Sequence, residues 1–197
     1  MKPPLKLNTQ PHTPPRIRGE AELIFDRQHF IRVVQQGILR AKFSLDIATA
    51  DFKAMRVPVS AKRSESIVGI LRKLADKGVE IRVLHAGVPS GPVLRELRHA
   101  LPQGVRIRRC PRLHAKMVIM DAERMYLGSA NLTGAGLGAK GETRRNMEIG
   151  IFTRAAEMVD ESLGYFNAIW EGQRCKDCGR HDICPVPLEE PRLAPSA

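Results

Sequence analysis

The sequence predicts a layered α/β fold with helices packed on a mixed, largely parallel central sheet. Three observations lead to it. Stretches of helical periodicity alternate with stretches of two-residue periodicity along the chain. At 197 residues the chain is long enough for one domain with a substantial core. Hydrophobic residues make up 43% of it, which is enough to fill that core.

Residues 1–19, MKPPLKLNTQPHTPPRIRG, hold five prolines and the basic residues Lys2, Lys6, Arg16 and Arg18 without an acid. They read as an extended basic arm with no apolar stretch of the kind a signal peptide needs. From Glu22 to Ala41 the apolar residues Leu23, Phe30, Val33, Val34, Ile38 and Ala41 recur at roughly helical spacing, so an opening helix is expected there. FSLDIATADF (43–52) follows as a strand. SESIVGILRKLADKG (64–78) reads as a helix with Ser64 as N-cap and Gly78 as its stop. VEIRVLHAG (79–87) alternates cleanly and is a second strand, and PVLRELRHAL (92–101) is a short helix. VRIRRC (105–110) leads into the stretch that carries the chemistry. From Gln173 onward the chain is rich in cysteine, proline and charge and poor in apolar periodicity. The organisation expected is therefore an arm (1–19), a folded domain (20–172) and an appended tail (173–197).

Charge narrows the partners. There are 32 Lys and Arg against 21 Asp and Glu, a formal net charge of +11 and a pI near 10.0. Such a balance favours a polyanion, nucleic acid first and an anionic membrane surface second. No apolar run approaches the ~18 residues of a transmembrane helix. A cytoplasmic location is expected, where thiols stay reduced.

The stretch RLHAKMVIMDAERMYLGSAN (112–131) concentrates the polar chemistry. Read as a strand over 113–121, it places His114 and Lys116 on one face, about 7 Å apart. DAER (121–124) is a turn and MYLGSAN returns antiparallel, in a register that sets Asn131 opposite His114 and Ser129 opposite Lys116. Gly128 leaves room for a close backbone approach. RNMEIGIF (145–152) is a further strand with Asn146 and Glu148 on one face. A carboxylate on the Nδ1–H of an imidazole leaves Nε2 with a free lone pair, and Glu148 is the candidate to do this for His114. A buried ammonium needs an anion. With Glu148 engaged by the histidine, a phosphate substrate is the natural partner for Lys116.

These residues resemble the HKD signature of the phospholipase D superfamily: His114-x-Lys116, Asp121, Gly128-Ser129-x-Asn131 and, downstream, Asn146-x-Glu148. The resemblance spans about residues 22–170. It implies a phospholipase D-like α/β/α sandwich and a phosphodiesterase that works through a covalent phosphohistidine. Such sites use two motifs, and this chain holds one, so the resemblance implies a homodimer like the small single-motif nucleases of the superfamily. By the same resemblance His114 is the nucleophile, while Lys116 and Asn131 hold the phosphate oxygens. Ser129 binds the phosphate or braces the site, Asp121 makes a structural ion pair, and no metal is needed for catalysis. The expected activity is cleavage of nucleic acid. A lipid or small-molecule phosphodiesterase and a noncatalytic nucleic-acid-binding module are the alternatives.

CKDCGRHDICP spaces Cys175, Cys178, His181 and Cys184 within ten residues, close enough to clasp one metal ion. Cys110 is the alternative to His181 as fourth ligand. A tetrahedral structural zinc is the first expectation, an iron–sulfur cluster the second, and free cysteines the alternative to both.

Overall fold

The computed structural model describes residues 16–17, 21–60, 62–98 and 104–190. Most of the basic arm, and the end of the helix expected over 92–101, therefore lie outside the described residues. The elements are β1 (Arg16–Ile17), β2 (Ala21–Phe25) and α1 (Arg27–His29), the last continuing as a π-helical turn over Phe30–Gln35. Next come β3 (Ser44–Thr49), β4 (Arg56–Ser60), β5 (Arg63–Ser66), α2 (Ile67–Ala75), β6 (Glu80–His85), α3 (Gly91–Arg98) and β7 (Val105–Arg109). The chain then forms β8 (Met117–Met120), β9 (Arg124–Gly128), β10 (Ile149–Thr153) and α4 (Ala156–Trp170).

Eight of these strands form one mixed sheet in the order β1-β2-β10-β9-β8-β3-β6-β7, and β4 and β5 form a separate hairpin. Parallel pairing is confined to β3, β6 and β7, where α2 and α3 supply the crossovers. The other neighbours pair antiparallel, so the parallel part is narrower than the sequence suggested. The chemistry-bearing half of the chain builds its strands by hairpin and edge addition, which needs no crossover helix.

The sheet is covered on both faces. On one face, Val33, Val34 and Ile38 pack with Leu45, Ile47, Val118, Met120, Tyr126 and Phe152 and with the apolar sides of α2 and α3. On the other, α4 lays Val159, Phe166, Ile169 and Trp170 over Ala48, Leu84, Met117, Ile119 and Met125. Each large side chain buried this way contributes roughly 1.5–3 kcal/mol. A buried carboxylate, Asp46, lies in the second layer. It is paired with Arg82 at 2.6 Å, whose guanidinium stands over the rings of Phe166 (5.0 Å) and Trp170 (5.6 Å). The pairing offsets the cost of burying that charge.

Two local expectations are corrected. Residues 21–25 form a strand, because the free edge of β10 offers Ala21–Phe25 a ladder, and the pairing outweighs helical spacing. Asp26, at φ 44°, then breaks the strand before the helical turns begin. The N-cap of α2 is Ser66, whose hydroxyl accepts from the Gly69 N–H at 3.0 Å. Ser64 is two residues too early, being paired with Pro58 in the β4–β5 hairpin. The stop at Gly78 is as expected, with φ 90°. No helix among the described residues is long and apolar enough to cross a membrane.

Candidate active site

One end of the sheet gathers the polar residues. The carboxyl ends of β3, β6, β7 and β9 meet the amino ends of β8 and β10 there. The strands are shorter than expected. His114 and Lys116 precede β8, and Asn146 and Glu148 precede β10, so all four sit in connections held by a rigid sheet.

The β8–β9 register differs by one residue from the expected one: Met117 pairs with Leu127 and Met120 with Arg124. Asp121 and Ala122 both adopt left-handed backbone (φ 58° and 51°), and Glu123 N–H closes the turn onto Met120 O at 3.1 Å. Arg124 belongs to β9, so the loop is the three residues 121–123 and the pairing shifts by one. Lys116 consequently faces Gly128, whose N–H donates to Lys116 O at 3.1 Å, and not Ser129.

The side chains then distribute as follows. His114 is exposed. Lys116 Nζ donates to His114 O at 2.8 Å and lies 3.1 Å from both ring nitrogens. Glu148 does not take the imidazole. Its carboxylate accepts from the Ser129 hydroxyl and, at 3.0 Å, from Asn146 Nδ2. The physical reason is proximity: Ser129 N–H donates to Ile149 O at 3.0 Å, which docks the serine beside Glu148. Asn131 reaches across to the end of β3, where its Oδ1 accepts from the N–H groups of Ala50 and Asp51, both at 3.1 Å. That fixes the amide orientation and leaves its Nδ2 donor without a partner among the described residues.

Three residues that position the site escaped the sequence reading. Asp26 clamps the backbone of Glu148, accepting from its N–H through Oδ1 and donating to its carbonyl, each at 3.0 Å. Tyr126 lies across Gly128 and Gly150, where a Cβ on either would strike the ring or hydroxyl. Its hydroxyl accepts from Ala130 N–H at 2.8 Å and so supports the loop from Ser129 to Asn131. Burial pushes that hydroxyl far up, so it stays protonated. Thr49 accepts from Leu132 N–H at 2.9 Å and anchors the far end of the same loop. Glycines facing an aromatic across a strand pair were a usable signal for Tyr126, whereas Asp26 had none.

Asp121 stands at the opposite end of β8. It accepts from the N–H groups of Phe43 (2.8 Å), Lys42 (2.9 Å) and Ser44 (3.2 Å) and pairs with Arg124 at 3.1 Å. Burial opposes its ionisation, but the Phe43, Lys42 and Ser44 N–H groups with Arg124 outweigh it and hold the carboxyl below its ordinary value. Its place is structural. Of the cysteine set, Cys110, Cys175, Cys178 and Cys184 all line one cavity between the loop after β7 and the tail, with His181 also on its wall.

The site is thus an exposed imidazole and a half-buried ammonium beside a hydroxyl, an amide and a carboxylate, on a chain of net charge +11. A tetrahedral anion suits that set of donors. The family model for the PLD-like domain of cardiolipin synthase matches residues 34–170, which include all of it except Asp26.

The chain belongs to the PLD-like domain family.

It is therefore a phosphodiesterase-fold member of the phospholipase D superfamily, in which the His-x-Lys segment and its downstream Asn and Glu fall within the matched region. This PLD-like chain is 34% identical over 80 residues to the 5'-3' exonuclease PLD3 of Rattus norvegicus. That match covers 37% of the chain and 16% of the relative, so it spans about a sixth of that protein's length. Two solved structures share the fold over 77% of this chain, each with a TM-score of 0.58. NucT from Helicobacter pylori is 15% identical and is covered over 95% of its length. Nuc from Salmonella typhimurium, a phospholipase D family member, is 18% identical and covered over 93%.

Proposed function

We propose that this PLD-like chain is a nuclease that cleaves phosphodiester bonds of nucleic acid at a site shared between two copies. The observation that carries the reading is the exposed His114 and half-buried Lys116 gathered with Ser129, Asn131 and Glu148 at one sheet end of a strongly basic chain. Relatives support it too, PLD3 being named an exonuclease. Basic residues continue away from the site: Arg27, Lys140 and Arg145 line a cleft next to Asn146, suited to a phosphate backbone.

In the proposed reaction Nε2 of one His114 attacks phosphorus and the bond to the leaving oxygen breaks, while the partner subunit's His114 donates a proton to that oxygen. The same partner histidine then takes a proton from water, which displaces the phosphoryl group and restores the nucleophile. Lys116 and the Nδ2 donor of Asn131 stabilise the non-bridging oxygens, so this scheme uses no catalytic metal. Two-fold sharing is supported by a second feature. Met147, Ile149 and Leu127 leave an exposed apolar strip immediately beside Ser129 and Glu148, where the single α4 on that face does not cover the sheet.

The test is turnover, in excess chelator, of single-stranded and duplex DNA, RNA and phosphatidylcholine vesicles, with sedimentation of the active species. Cleavage of a nucleic acid by a dimer is expected. Turnover of the vesicles alone would assign the site to lipid, binding without turnover would make the chain a nucleic-acid-binding module, and a fully active monomer would refute the shared site.

A further inference from the structure

The tail after α4 contributes almost nothing to an apolar core. From Gln173 to Glu190 the side chains withdrawn from solvent are those of Cys175, Cys178, Cys184 and Leu188, and the rest are exposed. Ordering each residue costs roughly 1–2 kcal/mol, which one leucine does not offset over eighteen positions. The tail nevertheless folds back on the sheet. Arg109 N–H donates to Glu189 O at 2.9 Å, and Arg108 and Arg109 pair with Glu190 and Glu189 at 3.2 and 3.8 Å. Such exposed ion pairs are worth little. Sulfur occupies the position a core would fill.

The fourth cysteine faces the other three. Cys110 sits at the end of β7, its N–H donating to His85 O at 2.8 Å, and the four thiols line a single cavity of about 170 Å³. Leu113 and Ile169 line the cavity with apolar surface, and Arg112, Arg174 and Arg180 are also on its wall. His181 is exposed, which leaves Cys110 as the better fourth ligand.

The arrangement of the thiols decides what fits. A tetrahedral zinc holds each sulfur at about 2.3 Å, which brings the sulfurs within about 4 Å of one another. Among the described residues no three His, Cys, Asp or Glu side chains stand in a group able to hold one ion. Four cysteines that line one cavity without forming such a group suit a centre of several metal atoms.

We propose that Cys110, Cys175, Cys178 and Cys184 ligate an iron–sulfur cluster that joins the tail to the end of β7. Each thiol binds as a thiolate and gives its proton to solvent, with iron and inorganic sulfide supplied from outside. The anionic centre so formed is offset by the guanidinium groups of Arg112, Arg174 and Arg180. The cluster would also fix the segment leading to His114, where Leu113 N–H closes a turn on Cys110 O at 2.9 Å.

The test uses the full chain, purified without oxygen from iron-supplied cells or reconstituted with ferrous iron and sulfide. Iron and acid-labile sulfide in equal amounts are expected, with a broad visible absorption that dithionite bleaches. Cys110→Ser and Cys184→Ser should lose iron and sulfide together, whereas His181→Ala should keep both. Stoichiometric zinc without sulfide in the wild-type chain, or no metal uptake at all, overturns the proposal. So does full cluster retention by a folded Cys110→Ser variant. The wild-type and His181→Ala results do not depend on whether a cysteine variant folds.

Discussion

At the scale of single residues, the side chains of the HKD-like segment separate into chemistry and support. His114 is exposed and has no carboxylate partner among the described residues, so its substitution should act on the reaction and not on the fold. His114→Ala is expected to lower turnover by about 10³-fold or more with substrate binding nearly unchanged, read from single-turnover rates beside an equilibrium titration. Lys116→Ala should weaken both, since its charge meets phosphate before and during reaction. Asp121 makes the contrast. Asp121→Ala removes three backbone acceptor contacts and one ion pair, and should cost about 3 kcal/mol in urea unfolding. Two buried histidines set a pH dependence. Burial lowers His29 and His85 despite the Asp26 and Gly87 carbonyls that their rings contact. The unfolded chain therefore binds more protons than the folded one below the unfolded value of about 6.5, and stability should fall as pH drops through that window. The depressed Asp121 adds a further loss at more acid pH, as its carboxylate is protonated below the unfolded carboxylate range. A stability curve flat between pH 7 and pH 5 would contradict the assignment of neutral buried imidazoles.

The elements show what sequence patterns can carry. β3, β6 and α2 were legible because their apolar spacing coincides with their burial: Leu45 and Ile47 face one layer, and Ile67, Ile70, Leu71 and Leu74 line one side of a helix. β2 was not legible, since Ala21–Phe25 becomes a strand only because β10 lies beside it, and a pairing partner 125 or so residues away leaves no local trace. The hairpin register failed for a related reason. Asp121 and Ala122 adopt left-handed backbone without being glycine, held by the N–H groups of Lys42 to Ser44 from a distant connection. The spacing singles out candidate site residues but not their contacts, which is why it points Glu148 at His114 whereas the fold gives it to Ser129 and Asn146. The Tyr126 support can be tested at this scale. Gly150→Ala would drive a methyl into the Tyr126 ring and is expected to cost about 2 kcal/mol by chemical denaturation. It should also reduce turnover, because Tyr126 holds the loop of Ser129 and Asn131.

For the molecule as a whole, a net charge of +11 and one His-x-Lys pair per chain set the assembly and affinity to be expected. Mixed dimers of wild-type and His114→Ala chains should fall far below half activity, since each site would need an attacking and a protonating imidazole. Half activity on every substrate would show that each chain carries a complete site. Binding should weaken steeply with salt, log K falling by about 0.9 per phosphate neutralised on duplex DNA or about 0.7 on single strands. Removing residues 1–18 takes away Lys2, Lys6, Arg16 and Arg18, so a flatter slope would place the arm on the nucleic acid.

The gathering of strand ends at the candidate site has a kinetic consequence. Thr49 and Lys116 come together only after β3 has paired with β8, and the Asp26 clamp reaches Glu148 only after β2 has paired with β10, contacts that close loops of roughly 70 and 125 residues. Such distant pairings form slowly, because the chain loses loop entropy before it gains contacts. The β8–β9 hairpin and the β3–α2–β6 unit can form earlier from local contacts. On dilution from denaturant, helical signal is therefore expected to return before phosphate-ester turnover does, and recovery of catalysis should follow the rate of the slowest sheet pairing.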